Sequence, residues 1–135
     1  MTLPRRLPRL GAVDRESYWG WVAAALFLLL PVDLLTTLLC AAVVGADAEA
    51  NPWMAWLLTQ PLSVLIAVHV AVGATAVAGF AAYEAISRRS ERFGDVMLHA
   101  ARVYLVLLVA VGFLVFWNNL AVLLFRRSLF AMAGL

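Results

Sequence analysis

One face of the first long apolar segment carries a carboxylate, two hydroxyl groups and a thiol. The i, i+3, i+4, i+7 spacing that aligns side chains on one side of an α-helix is followed by Asp33, Thr36, Thr37 and Cys40. In a bilayer, a charged Asp at this depth costs at least ~2.5–3.5 kcal/mol on insertion scales, so Asp33 must face protein or water. Either the acid holds a proton, an ion or a ligand, or it makes an interhelical hydrogen bond that stabilises a bundle.

The second and third apolar segments carry polar side chains at a similar depth. Depth follows from the ~1.5 Å rise per residue of an α-helix. On that basis His69 lies ~12 Å below the outer membrane boundary, the Asn118–Asn119 pair lies ~10 Å below it, and Asp33 lies ~16 Å below it. Polar groups from all three segments therefore converge in one half of the membrane. This shared depth, rather than the type of any single residue, points to a polar site.

The first loop, which contains Glu49 and Asn51, would lie directly above these groups. Its side chains would then form a lid or a mouth to the polar site. The predicted ligand- or ion-binding residues are Asp33, Thr36, Thr37, Glu49, Asn51, His69, Asn118 and Asn119.

Composition indicates that an integral membrane protein positions these residues. The chain has 135 residues, of which 65% are apolar and 13% charged, and its mean hydropathy is +0.95. A soluble domain usually has about 45–50% apolar and about 25% charged residues. Because the excess lies in long uninterrupted stretches, we predict an all-α membrane protein with three transmembrane helices.

The apolar runs and the prolines place the elements. Pro31 would kink the first span because it has no N–H to donate, and Pro52 suits the first turn of a short interfacial helix. The first apolar run exceeds the roughly 7–15 residues of the hydrophobic region of a signal peptide, so we expect a retained anchor. The predicted order is a basic tail at 1–17, a single helical domain at 18–125 with spans at about 18–44, 61–86 and 96–125 and the interfacial helix at about 52–59, and a C-terminal tail at 126–135.

Arginine positions predict the topology. The net charge is +2, with ten arginines and no lysine. The arginines cluster at the ends of apolar runs, which indicates membrane topology rather than nucleic-acid binding. With the N-terminus inside, seven arginines are internal, whereas Arg126 and Arg127 alone are external. We therefore predict a multi-pass protein of the cell inner (cytoplasmic) membrane, with its N-terminus cytoplasmic and its C-terminus outside.

No cofactor is expected. A haem bridging His69 and His99 is disfavoured because their depths differ by roughly 15 Å, whereas metal–ligand distances are ~2 Å. A metal held by Asp33, His69 and a loop acid has no recognised ligand spacing. Cys40 is the only cysteine, so the chain cannot form an internal disulfide.

Expected partners are the lipid bilayer and either further copies of the chain or a partner membrane subunit, with no nucleic acid. Three helices alone bury limited surface. Small residues recur every four positions in the second span and permit close helix approach, namely Ala67, Ala71, Thr75 and Gly79.

Three stretches together resemble a domain-of-unknown-function family of small archaeal and bacterial multi-pass membrane proteins. They are PVDLLTTLL at 31–39, EANPWM at 49–54 and QPLSVLIAVHV at 60–70. The features that carry the resemblance are an Asp-x-x-x-Thr motif in the first helix and a Glu-x-Asn-Pro motif in the following loop. It carries no activity over to this chain, so the resemblance implies only the fold and site positions. The matching residues are Asp33, Thr37, Glu49, Asn51 and Pro52.

A non-enzymatic role is the main expectation, in the form of binding of an ion, a proton or a small ligand. The first alternative is an accessory or anchor subunit of a larger membrane complex. The second is a metal-assisted membrane hydrolase that uses Asp33, Glu49 and His69. The sequence has no nucleophile with an adjacent base, no Gly-rich phosphate loop and no paired metal motif, so we lean against an enzyme.

Overall fold

The chain folds into α-helices, and the predicted fold class is confirmed. The computed structural model describes residues 13–49, 51–132 and 134, and these residues contain no strand. Most of the predicted basic tail, residues 1–12, lies outside the described residues. The elements are α1 Arg15–Phe27, a π-helical segment Leu28–Val32, α2 Asp33–Val44, a 3₁₀ turn Ala46–Ala48, α3 Pro52–Leu58, α4 Leu62–Arg89, α5 Gly94–Phe125 and α6 Leu129–Met132.

Three helices among the described residues are long and apolar enough to cross a membrane, as predicted: Arg15–Val44, Leu62–Arg89 and Gly94–Phe125. Each exceeds the ~30 Å hydrocarbon thickness at a rise of ~1.5 Å per residue. Their outer surfaces expose large apolar side chains, such as Leu107 at 58% and Leu114 at 62%. Lipid is the medium in which such surfaces are stable.

The first span passes through Pro31 without a break because the helix widens there. Pro31 has no N–H, and the Asp33 N–H is directed to the Leu28 carbonyl, five residues back. At Pro31, where a kink is predicted, the structure has a π-helical turn. Asp33 is the first residue after it, so this turn sets the direction in which the carboxylate leaves the helix.

Side-chain caps define two helix starts. The Asp14 carboxylate accepts a hydrogen bond from the Ser17 N–H at 2.7 Å, so the first span begins at Arg15 rather than at the predicted residue 18. The Asn51 side chain accepts from the Trp53 N–H at 3.1 Å, and Pro52 occupies the first turn of α3. The short helix predicted at 52–59 is thereby confirmed.

The last span, α5, is the central helix because it packs against both α1–α2 and α4. The core is concentrated between α1 and the first half of α5. It consists of Tyr18, Val22, Ala25, Leu98, Ala101 and Leu105, with Val13 just before α1.

At the end where α1 starts and α4 finishes, a carboxylate ties the two helices together. Glu84 is 4% exposed and accepts hydrogen bonds from Trp19 Nε1 and Arg88 Nε, both at 2.8 Å. Arg15 Nε lies 3.4 Å from the same carboxylate. Nearby, the Tyr18 hydroxyl donates to the Phe80 carbonyl at 2.9 Å. Glu84 and Arg88 are four residues apart, a spacing that favours such a pair within one helix, whereas the hydrogen bond from Trp19 joins two helices.

Removing the charge of Glu84 should therefore loosen α1. We expect Glu84→Gln to lower the free energy of unfolding by about 1–3 kcal/mol, because charge-assisted hydrogen bonds to a buried group are lost. The matched control is Glu91→Gln, an exposed acid at the same end, which should change little. The measurement is unfolding by SDS titration in mixed micelles, and equal losses in the two variants would contradict this role.

At Gly112, α5 passes closest to the π-helical segment. A Cβ atom there would lie 2.7 Å from Leu28 Cβ, well inside van der Waals contact. Glycine is thus required by the close approach of two helices rather than by a turn.

We expect Gly112→Ala to destabilise the bundle by about 1–3 kcal/mol, the usual effect of overpacking. Gly79→Ala is the control, since a Cβ at Gly79 meets nothing within 4 Å and alanine favours a helix. The same SDS titration compares the two variants. An unchanged midpoint for Gly112→Ala would show that the helices do not approach as described.

Candidate functional site

One residue of α5, Asn119, contacts the entire polar face predicted on the first span, through its side-chain amide and its backbone carbonyl. The Asn119 side-chain nitrogen donates to Thr36 Oγ1 at 2.9 Å, and it lies 3.5 Å from both Thr37 Oγ1 and Asp33 Oδ1. The Asn119 carbonyl accepts from Cys40 Sγ at 3.3 Å. The four residues grouped by helical spacing therefore share a single partner.

The two threonine hydroxyls have different surroundings but are both buried. Thr36 is 8% and Thr37 5% exposed. Thr36 Oγ1 donates back to the carbonyls of Val32 and Asp33 at 3.0 and 3.1 Å. Thr37 Oγ1 instead donates to Asp33 Oδ1 at 3.5 Å. The hydroxyls thus link the π-helical turn, the carboxylate and the α5 amide into one network.

Asp33 is only half-buried, and one of its oxygens remains available. Oδ1 receives the contacts from Thr37 and Asn119, whereas Oδ2 accepts no hydrogen bond from the described residues. No buried side-chain N or O atom of those residues lacks a partner, so Oδ2 is accessible. Glu49 and His69 lie near enough to act on the Asp33 carboxylate electrostatically. The grouping of these three residues into one binding site stays a prediction, since Glu49 lines the cavity described below and Asp33 and His69 do not.

The network is adjacent to a cavity of about 420 Å³, at the end of the bundle where α2 and α5 finish. Thr37 and Asn119 belong to both the network and the cavity wall. The cavity lies within the size range of small-molecule sites, about 300–1,000 Å³. Its main polar lining consists of Thr37, Glu49, Asn118, Asn119, Arg126 and Arg127.

Glu49 and Asn51, both predicted as site residues, have different positions. Glu49 lines the cavity, and its Oε1 accepts from the Asn51 N–H at 2.9 Å. Asn51 is exposed and caps α3, so its side chain serves the fold. The Asn51 backbone nevertheless orients Glu49 toward the cavity.

Asn118 joins the C-terminal segment to the site. Its Oδ1 accepts from the Leu129 N–H at 3.1 Å, which holds α6 against the end of α5. Arg126 has a φ of 54°, the left-handed conformation that commonly ends a helix, and this reverses the chain direction. The predicted C-terminal tail is therefore partly ordered as α6, and it completes the cavity wall.

The two histidines both bond to helix carbonyls. His69 Nδ1 lies 2.9 Å from the Leu65 carbonyl, and His99 Nδ1 lies 2.8 Å from the Asp95 carbonyl. Since a carbonyl only accepts, Nδ1 carries the proton in each ring and Nε2 faces away. His69 lies about two turns after the start of α4, and His99 lies less than two turns after the start of α5. Because these helices run in opposite directions, the two histidines lie toward opposite ends of the bundle. The described residues contain no group of three or more His, Cys, Asp or Glu side chains that could hold a metal ion.

The sequence reasoning missed the cationic side of the cavity. Arg126 and Arg127 served only as topology markers, although both line the site. The sequence assigns Cys40 no binding role, although its thiol donates to the Asn119 backbone carbonyl. A pair of arginines directly after an apolar run was the available signal, but the reversal at Arg126 cannot be recognised without the tertiary contacts.

No family model, curated protein or solved structure matches the chain. The resemblance to a family of small membrane proteins therefore stays a prediction. Fold and site together define a helical protein with three helices suited to a membrane and a polar cavity at one end of the bundle.

Removing the Asn119 amide should weaken the contact between α2 and α5. We expect Asn119→Ala to lower the free energy of unfolding by about 0.5–2 kcal/mol, the range of interhelical hydrogen bonds in membranes. Asn118→Ala is the matched control and should mainly release α6. Hydrogen exchange should then rise at Leu129–Met132 in the Asn118 variant, and along α2 in the Asn119 variant. The reverse distribution would contradict these assignments.

Proposed function

We propose that this chain is a non-enzymatic integral membrane protein that binds a small ligand or an ion at the Asn119 cavity. The observation that carries the proposal is the sharing of Thr37 and Asn119 between a buried hydrogen-bond network and a cavity wall. A ligand that enters the cavity would contact the network that joins the first and last spans. Binding would then act on the packing of the bundle.

The chemistry of the wall supports a binding site. Hydroxyl, amide, carboxylate and guanidinium groups lie beside the apolar residues Val44, Leu58 and Val122. Ligand sites commonly combine an apolar surface with a few polar groups that orient the ligand. Through Thr37 the wall also contacts Asp33, an acid within the first span, and such acids are frequent components of ion and proton sites.

We propose the same membrane and orientation as the arginine distribution predicts. Arg15, Arg88, Arg89 and Arg92 lie at the Glu84 end of the bundle, which we assign to the cytoplasmic side of the inner membrane. The cavity then opens toward the outside. Its two arginines are the external pair, and their role in the cavity gives a reason for their position against the general charge rule.

A second candidate function is that of an accessory subunit, and one surface favours it. A lateral apolar groove of about 460 Å³ runs between α4 and α5. It is lined by small residues, including Gly79, Ala100 and Ala101, beside Phe80 and Tyr83. Small residues allow another transmembrane helix to approach closely. By contrast, Asp33 and His69 are not part of the cavity lining, so the hydrolase gains no support from it.

Binding can be tested by ligand-dependent thermal unfolding of the full chain in phosphatidylcholine nanodiscs. The probes are Na⁺, Mg²⁺, Zn²⁺, inorganic phosphate, glycine and phosphoethanolamine. A ligand at 100 times its Kd should stabilise the wild type by about 2.7 kcal/mol. We expect Thr37→Val to reduce that shift, whereas Thr75→Val, an exposed threonine of α4, should preserve it.

The outcomes separate binding from packing. A probe-induced shift that needs Thr37 supports the proposal. If Thr37→Val and Asp33→Asn lower stability equally with and without every probe, the network is structural only. No shift with any probe in the wild type would reject the proposed function for these ligand classes.

A further inference from the structure

Charges of both signs line the Asn119 cavity without neutralising one another. Glu49 comes from the loop after α2, and Arg126 and Arg127 follow α5. The salt bridges formed among the described residues all involve Glu84, at the opposite end of the bundle. A carboxylate and two guanidinium groups of the cavity thus remain available to an external partner.

The position of the cationic wall is set by the fold. Arg126 occupies a left-handed backbone conformation, which is unfavourable for a residue with a side chain. The Asn118–Leu129 hydrogen bond holds the returning chain in place. Two backbone constraints therefore hold both arginines beside the cavity rather than along the axis of α5.

The anionic wall is oriented as well. The Asn51 N–H binds Glu49 Oε1 at 2.9 Å, while Oε2 accepts no hydrogen bond from the described residues. One carboxylate oxygen thus fixes the side chain and the other remains free to accept. A primary ammonium group, which has three N–H donors, is suited to that oxygen.

The position of the cavity relative to the membrane further restricts the class of ligand. The cavity lies where Val44 and Phe125 end the first and last spans. Because both helices are longer than the ~30 Å hydrocarbon thickness, we infer that this end reaches the level of lipid headgroups. The headgroups of phospholipids, which lie at this level, carry phosphate groups. Guanidinium groups bind phosphate through paired N–H donors, and two adjacent arginines provide several such pairs.

We propose that the cavity binds a zwitterion made of a phosphate and a primary ammonium group, as in phosphoethanolamine. Arg126 and Arg127 hold the phosphate, and Glu49 accepts from the ammonium group. This inference rests on the proposed binding function and specifies its ligand class. The same chemistry is present in a free small molecule and in the headgroup of phosphatidylethanolamine.

Ligands that lack either the phosphate or an ammonium N–H donor should bind the cavity less tightly. Inorganic phosphate would leave Glu49 beside an anion, and ethanolamine would leave both arginines without an anion. Phosphocholine has a phosphate, but its trimethylammonium group has no N–H to donate to Glu49. Phosphoethanolamine should therefore bind at least about tenfold more tightly than each of these three compounds.

The test is isothermal titration of the full chain in phosphatidylcholine nanodiscs with these four compounds. Arg127→Gln and Glu49→Gln should each weaken phosphoethanolamine binding about tenfold or more. Arg92→Gln and Glu91→Gln, exposed residues at the opposite end, are the matched controls and should leave binding unchanged. Arg126 also ends α5, so its role in phosphate binding is tested with Arg126→Lys, which retains the charge. We expect this variant to lose less affinity for phosphoethanolamine than Arg127→Gln.

A second titration with dihexanoyl phosphatidylethanolamine identifies the source of the ligand. Binding at least about tenfold tighter than that of phosphoethanolamine supports a lipid headgroup, and equal binding supports a soluble zwitterion. Equal affinity for phosphate and phosphoethanolamine, or no effect of Glu49→Gln, would overturn the inference. If another probe binds through Thr37 while phosphoethanolamine does not, this inference fails and the proposed function stands. If no probe binds, both fail.

Discussion

In an apolar solvent, a polar side chain must find its partners within the protein, and this constraint organises the bundle. The Asn119 amide is the clearest example, because it contacts Asp33, Thr36 and Thr37 on the polar face of the first span. Apolar side chains contribute little orientation of their own, since lipid solvates them equally well. A few directional hydrogen bonds therefore decide which faces of the helices meet. The close contact of Gly112 with Leu28 follows from the same alignment.

A second polar contact lies at the other end, where Glu84 joins α1 to α4. The first span is thus held at both ends, to α4 near its start and to α5 near its finish. Between these contacts lies the π-helical turn at Pro31, where the span departs from regular α geometry. That turn directs Asp33 toward α5. Pro31 thereby links the local backbone to the site, since a regular helix would present Asp33 at a different angle.

The cavity is a consequence of how the chain ends. Because α5 stops at Arg126 in a left-handed turn, the following residues return over the end of the bundle. The Asn118–Leu129 hydrogen bond holds them there. Two neighbouring residues of α5 thus make different contacts: Asn119 joins α2 to α5, and Asn118 binds the segment that completes the cavity wall. Charges of both signs line the cavity without a salt bridge between them among the described residues. They favour a ligand that carries both signs, as the proposed zwitterion does.

Local patterns in the sequence determined the helices, because hydropathy, proline positions and caps act over short distances. The three spans, α3 and the shared face of Asp33, Thr36, Thr37 and Cys40 were all predictable in this way. Helical rise even placed Asn119 near Asp33 in depth. Only the tertiary structure decided that Asn119 contacts that face while Asn118 does not, because depth carries no information about rotation around the helix axis. It also placed Arg126 and Arg127 in the lining of the same cavity as Glu49, since a chain reversal depends on contacts between residues distant in sequence.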